Sequence, residues 1–181
     1  MAVAIQGAGV LLPIPPEGEP RELKDKSLSY FFYNFGNFFD PEYMWEMACC
    51  FASRIAELQL HKHVDFLYGP PYKGIGLVHL ISVALLHNHG VNLPICYSRK
   101  EPKDHGEGGV MVGFPIEPGM RGLVIDDVVT AGIAKQESRV VIEDEGGILA
   151  GVIVGVDRTK EGVLKVLEES LGAPVYAVTT H

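Results

Sequence analysis

An α/β fold with a mostly parallel central sheet flanked by helices is predicted by three features. Short apolar runs alternate with helical patterns through most of the chain, one such run ends in two adjacent carboxylates, and 181 residues suit one domain. The N-terminal residues 1–22 read as an arm. Ala2–Ile14 is apolar but contains Gln6, two glycines and Pro13, and Pro13–Pro20 holds four prolines, which favours an extended, exposed course. A single domain is expected over 23–181. Asp40-Pro41 is a helix start, with Asp as N-cap and Pro in the first turn. Met44, Met47, Ala48, Phe51, Ala52, Ile55 and Leu58 then follow helical spacing.

A βαβ rhythm follows. Val64–Tyr68 reads as a strand, Gly74–His87 as a helix apolar nearly all round and hence buried, and Leu93–Tyr97 as the next strand. Gly122–Ile125 is a strand, and Ile133–Glu145 an amphipathic helix stopped by Gly146-Gly147. Leu149–Val156 is a strand, Val163–Leu171 a helix and Val175–Val178 the last strand. Ligands of such sheets sit beyond the carboxyl ends of the strands.

Composition excludes several classes. A 47% hydrophobic and 21% charged chain is not disordered as a whole. A net charge of −8 argues against a nucleic-acid partner, which needs a basic footprint, so any cationic site must be local. No apolar run reaches the ~20 residues that cross a bilayer, and the N-terminus lacks the positively charged start of a secretory signal. Three cysteines, two of them adjacent, suggest no disulfide framework and point to a reduced, cytoplasmic setting.

Four segments can carry chemistry. In Leu123–Gly132 a hydrophobic strand delivers Asp126 and Asp127, then a small-residue loop opens a helix. Free N–H groups there form an anion cradle, and the carboxylates can hold sugar hydroxyls or the water shell of Mg²⁺. A capped turn explains one Asp but not two. Arg99–Gly109 packs three cations, one His and three glycines into eleven residues. It reads as a mobile loop able to close over a polyanion, or as a solvated charged turn. Tyr68–Gly74 places Lys73 at a helix start, where it opposes the dipole unless an anion joins it. Tyr30-Phe31-Phe32, preceded by Lys24 and Lys26, by itself reads as core or a dimer seam. His61/His63 and His87/His89 lack acidic or Cys partners at metal-ligand spacing. Neither a P-loop nor a dinucleotide fingerprint is found.

These four segments, in this order, resemble the type I phosphoribosyltransferases, and among them the branch that uses orotate. The resemblance runs from about Lys24 to Arg158. Val124–Gly132 is similar to the family's phosphoribosyl-diphosphate (PRPP) motif, and Arg99–Gly109 to the more specific lid of the orotate branch. The implied fold is that of the family, with a small N-terminal hood formed largely by 23–40. The implied reaction transfers phosphoribose from PRPP to orotate, giving orotidine 5'-monophosphate and diphosphate in pyrimidine biosynthesis.

The resemblance also implies roles. Asp126 and Asp127 bind the ribose hydroxyls and, through water, Mg²⁺, while Val128, Val129, Thr130, Ala131, Gly132, Ile133 and Ala134 line the sugar and its phosphate. Lys73, Arg99, Lys100, Lys103 and His105 surround the diphosphate, with Lys103 the chief catalytic lid residue. Arg99, Lys103 and His105 reach a neighbouring subunit's site, which implies a homodimer. Lys24, Phe31, Phe32, Thr130 and Arg158 hold orotate, Arg158 taking its carboxylate. Three departures stand out. Ile133 replaces the family's usual hydroxyl residue, a hydrogen bond worth about 1.5–3 kcal/mol if nothing compensates. The usual Lys-Ser-Gly before the aromatics is Lys24-Asp25-Lys26, one residue short, with Lys24 the better match and Lys26 an alternative, and Ala2–Pro20 does not look like the family's N-terminal helix. Two alternatives stay open: transfer to another base, and a non-catalytic PRPP-binding regulator. Replacing Asp126 and Asp127 together by Asn is expected to weaken PRPP binding with little change in melting temperature.

Overall fold

One short strand, β5 (Phe66–Gly69), is buried along its whole length and organises the sheet. β6 (Ile95–Lys103) runs parallel to it on one side and β8 (Arg121–Val129) on the other. β9 (Ile148–Asp157) and β10 (Val175–Thr180) extend the parallel sheet beyond β8, and β7 (Gly109–Gly113) forms an antiparallel edge on β6. The order is β10-β9-β8-β5-β6-β7. This computed structural model describes residues 11–13, 21–22, 28–29, 31–37, 40–103, 109–129, 133–159 and 162–180, with side chains at 11–13, 21–22, 28–29, 31–33, 102–103 and 133–134 left out.

Strand side chains alternate between faces, so the sheet carries two cores. Leu67, Leu123, Ile125 and Ile153 pack with helices α1 (Pro41–Glu57) and α2 (Lys73–His89). Phe66, Tyr68, Val124, Val152 and Val154 pack with α3 (Ile133–Asp144) and α4 (Val163–Leu171) through Ile142, Leu167 and Leu171. The start of α1 is as expected: the Asp40 carboxylate accepts the Glu42 N–H at 2.9 Å, with Pro41 in the first turn. Two small pairings precede it. β1 (Leu11–Pro13) pairs antiparallel with β4 (Phe31–Tyr33), and β2 (Arg21–Glu22) with β3 (Leu28–Ser29).

Several elements differ from the sequence expectation, β7 having no counterpart in it. β8 runs on to Val129, because its pairing with β9 continues through Asp126↔Val154, Val128↔Val156 and Val129↔Asp157. The two acids therefore lie within the strand. β6 likewise extends through Arg99–Lys103, and Lys103 pairs with Gly109. The charged segment is thus rooted in a hairpin at the sheet edge, where outward-facing charges cost little. Finally, α2 is not buried all round. Val83 and Leu86 are 57% and 53% exposed, since α1 and the sheet cover only one side of it.

Two polar side chains on adjacent strands satisfy each other: the Tyr68 and Ser98 hydroxyls lie 2.7 Å apart, both buried. Next to them Cys96 is fully buried, and that burial pushes its thiol up to about 12. At pH 8 such a group is thiolate in only about one molecule in ten thousand. Iodoacetamide at pH 8 should therefore alkylate Cys49 and Cys50 in the native protein and Cys96 only after unfolding. Peptide mass mapping checks this, and native labelling of Cys96 at the rate of the other two would contradict the packing.

Candidate functional site

Progression along the sheet reverses at β5, since β6 is laid on one side and β8 on the other. The carboxyl ends of β5 and β8 lie at that reversal, the crevice position that ligands usually take in open α/β sheets. β5 ends in Gly69-Pro70-Pro71-Tyr72-Lys73 and β8 in Asp126–Val129. The first of these turns is held tight by two glycines. A Cβ on Gly69 would fall 2.3 Å from the Gly74 carbonyl oxygen; one on Gly74 would fall 2.5 Å from Pro70 Cδ and 3.0 Å from the Ile125 carbonyl oxygen. Only glycine lets the start of α2 sit directly against the end of β8. The Pro71–Tyr72 peptide in this turn is cis.

That approach brings Lys73 to Asp127, with Nζ donating to Oδ2 at 2.7 Å. The anion that a cation at a helix start calls for is thus supplied by the chain itself. Asp127 Oδ1 also accepts the Val128 N–H at 2.7 Å. Asp126 is bracketed in the same manner: Oδ1 accepts the Asp127 N–H at 2.9 Å, and Oδ2 accepts Lys135 Nζ. Lys135 in turn donates to the Val128 carbonyl at 2.8 Å. Each carboxylate therefore has one backbone N–H and one ammonium.

The environments of the two acids differ. Asp126 and Lys135 are buried, with 7% and 3% exposure, whereas Asp127 is half-buried and Lys73 exposed. Burial pushes the Asp126 carboxyl above its ordinary value, the Lys135 ammonium pulls it back, and the neighbouring Asp127 charge adds to the rise. Asp126 is a fixed internal charge. Asp127, whose lysine can swing into solvent, faces the crevice.

Other expected residues fall around this centre. Arg158 follows β9, and its N–H donates to the Val129 carbonyl at 3.1 Å, which ties it to the end of β8. Arg99 donates from Nη1 to the Gly109 carbonyl at 3.4 Å, from β6 to β7. Lys100 Nζ lies 4.7 Å from the centre of the Tyr72 ring, so the charged end of β6 touches the turn that carries Lys73. Lys103 ends β6, Phe31 and Phe32 lie in β4, and Ile133 and Ala134 open α3. Lys24, His105, Thr130, Ala131 and Gly132 lie outside the described residues.

Two residues were missed from sequence. Lys135, Ser138 and Ile142 share the buried face of α3, so a cation on an inward stripe facing two acids was the available signal. Phe35 is buried with its ring on Gly155, where a Cβ would meet Cζ at 2.7 Å and the Asp127 carbonyl oxygen at 3.0 Å. A lone Gly in a strand pattern marks such a close approach.

Comparison with known proteins agrees with this geometry. The orotate phosphoribosyltransferase of Acinetobacter baylyi is 39% identical over 163 residues, covering 87% of this chain and 74% of that protein. That of Neurospora crassa is 38% identical over 180 residues, covering 88% and 76%. The crystal structure of the Francisella tularensis enzyme superposes with a TM-score of 0.79 at 31% identity, covering 99% of this chain and 84% of that one. Saccharomyces cerevisiae adenine phosphoribosyltransferase, at TM-score 0.62 and 18% identity, shares the fold alone. No protein-family model matches. The chain belongs to the orotate phosphoribosyltransferases, and its fold is that of the type I phosphoribosyltransferases.

The contrast between the acids alters the expectation that both can be replaced without loss of stability. Asp126→Ala strands a buried ammonium and should lower the unfolding free energy by about 3–5 kcal/mol. Asp127→Asn removes a pair whose lysine is in solvent and should cost less than about 1 kcal/mol. Urea unfolding of the two variants separates them; equal losses would contradict the assignment of internal and crevice-facing roles.

Proposed function

We propose that the chain transfers the phosphoribosyl group of PRPP to orotate, releasing diphosphate and forming orotidine 5'-monophosphate. Family membership supports the reaction, and the observation that carries the mechanism is the acid pair at the switch point, flanked by Lys73 and by the root of a cationic hairpin. Orotate's ring nitrogen displaces diphosphate from the anomeric carbon through a transition state with cationic character on the sugar. No protein nucleophile is needed, so the residues act by positioning and charge. Asp127, with Asp126 behind it, accepts the ribose hydroxyls and lowers the cost of positive charge on the ring.

Val128 to Ala134, including Val129, Thr130, Ala131, Gly132 and Ile133, lead into the start of α3, where backbone N–H groups suit a phosphate. Lys73 exchanges Asp127 for diphosphate oxygens as substrate enters, and Arg99, Lys100, Lys103 and His105 close over the leaving group. Closure also excludes water that would hydrolyse the sugar. Phe31, Phe32, Lys24 and Arg158 hold orotate. Two oxygen-donor carboxylates suit Mg²⁺ held through its waters, and Mg²⁺ when bound neutralises charge on the departing diphosphate.

A second copy of the chain supplies the lid to its neighbour. The exposed Val83, Leu86 and Tyr72 along and before α2 support a self-association face. Residues 1–22 act as an arm to the 23–181 domain, whose 23–40 region forms the hood. Three cysteines outside any disulfide suit a cytoplasmic, reducing compartment.

Diphosphate release from PRPP should require orotate and fail with uracil or adenine. No release with orotate, or equal release with adenine, would overturn the reading. Lys103→Ala should lower turnover by roughly two to three orders of magnitude, the usual cost of a preorganised transition-state donor. Near-normal steady-state turnover would remove the lid from the mechanism.

A further inference from the structure

The ion pair between Lys73 and Asp127 limits what the crevice can take. Nζ donates to Oδ2 at 2.7 Å, while Oδ1 already accepts the Val128 N–H. The partners are unequally exposed, with 49% of the lysine side chain in solvent against 16% of the carboxylate. Asp127 is also held from behind: its own N–H donates to Asp126, whose charge Lys135 balances. The lysine can therefore swing and the acid cannot. Neighbouring cations are engaged within the chain as well, Lys100 at 4.7 Å from the Tyr72 ring centre and Arg99 Nη1 on the Gly109 carbonyl at 3.4 Å. An anion that takes Lys73 comes close to a fixed carboxylate and has to compete with it for the ammonium. A hydroxyl that takes Asp127 does the reverse. It donates to the acid, weakens the acid's hold on Lys73 and frees the ammonium for an anion.

We propose that Asp127 is a specificity-determining residue that sets sugar-linked diphosphate apart from free diphosphate. By holding Lys73 it disfavours anions that carry no hydroxyl, and it yields the lysine to a ligand whose ribose occupies the acid. This rests on the reading of the crevice as the PRPP site and adds to it a selection against the leaving group of the same reaction. Recognition of the sugar and recognition of the diphosphate are then coupled through one hydrogen bond, and coupling of this kind acts equally in both directions.

Calorimetry with inorganic diphosphate and with ribose 5-phosphate tests this on the full chain and on Asp127→Asn and Lys73→Met, in EDTA so that no metal bridges acid and anion. Asp127→Asn should bind diphosphate about three- to tenfold more tightly, the scale of releasing a half-exposed ammonium and removing a like charge beside the ligand. The same variant should bind ribose 5-phosphate about threefold or more weakly, having lost a charged acceptor. Lys73→Met should lose diphosphate affinity and keep that for ribose 5-phosphate. A purely structural role for Asp127 would weaken both ligands together, so diphosphate affinity that is unchanged, lowered or undetectable in Asp127→Asn overturns the proposal. Should that variant not fold, acetylation of Lys73 in the wild-type chain, read by peptide mass mapping, decides. Ribose 5-phosphate should speed it by drawing Asp127 away, and an unchanged or slower rate overturns the proposal. A chain that meets these expectations yet forms no orotidine monophosphate from PRPP and orotate would refute the reaction while leaving the selection in place.

Discussion

Two adjacent carboxylates at the end of a buried strand are the constraint around which the rest of the site is arranged. Side by side, they repel each other, and one of them is out of water. The chain stabilises them with a cation on each side, one from within the fold and one from the crevice, and with two successive backbone N–H groups. The internal lysine makes the arrangement permanent. The crevice lysine makes it exchangeable, because an exposed ammonium can leave for a more highly charged partner at little cost.

β5 makes this possible by being short and packed on both faces. β5 has no exposed residue, so its end is fixed by packing on both faces. Two glycines allow the following turn to lie against β8 with no side chain between them. The charged groups are therefore placed by backbone, which leaves little conformational freedom to lose when substrate arrives.

Much of this was legible in the sequence, and the exceptions have physical reasons. The βαβ rhythm and the helix over Val163–Leu171 follow from periodicity, and the paired acids after an apolar run are visible by eye. Strand ends were not legible, because pairing with a neighbour decides them: β8 runs through the two acids to Val129, and β6 runs on past Tyr97 into the charged segment. Charges that suggested a loop at Arg99–Lys103 sit instead on the end of β6 beside the edge strand β7, with Lys100 and Glu101 exposed to solvent. Lys135 was passed over because its partner lies nine residues back across a turn, and sequence spacing alone does not show that the chain folds back on itself there.

Gly155 has a consequence reaching beyond its own strand. Its missing methyl group leaves a notch in β9 into which the Phe35 ring drops, with the Asp127 carbonyl at the same spot. The segment that follows the aromatic run and the strand that bears the acids thus share one footing. Whatever tilts the first displaces the second, so the backbone after the aromatic run and the acid-bearing end of β8 move as one body.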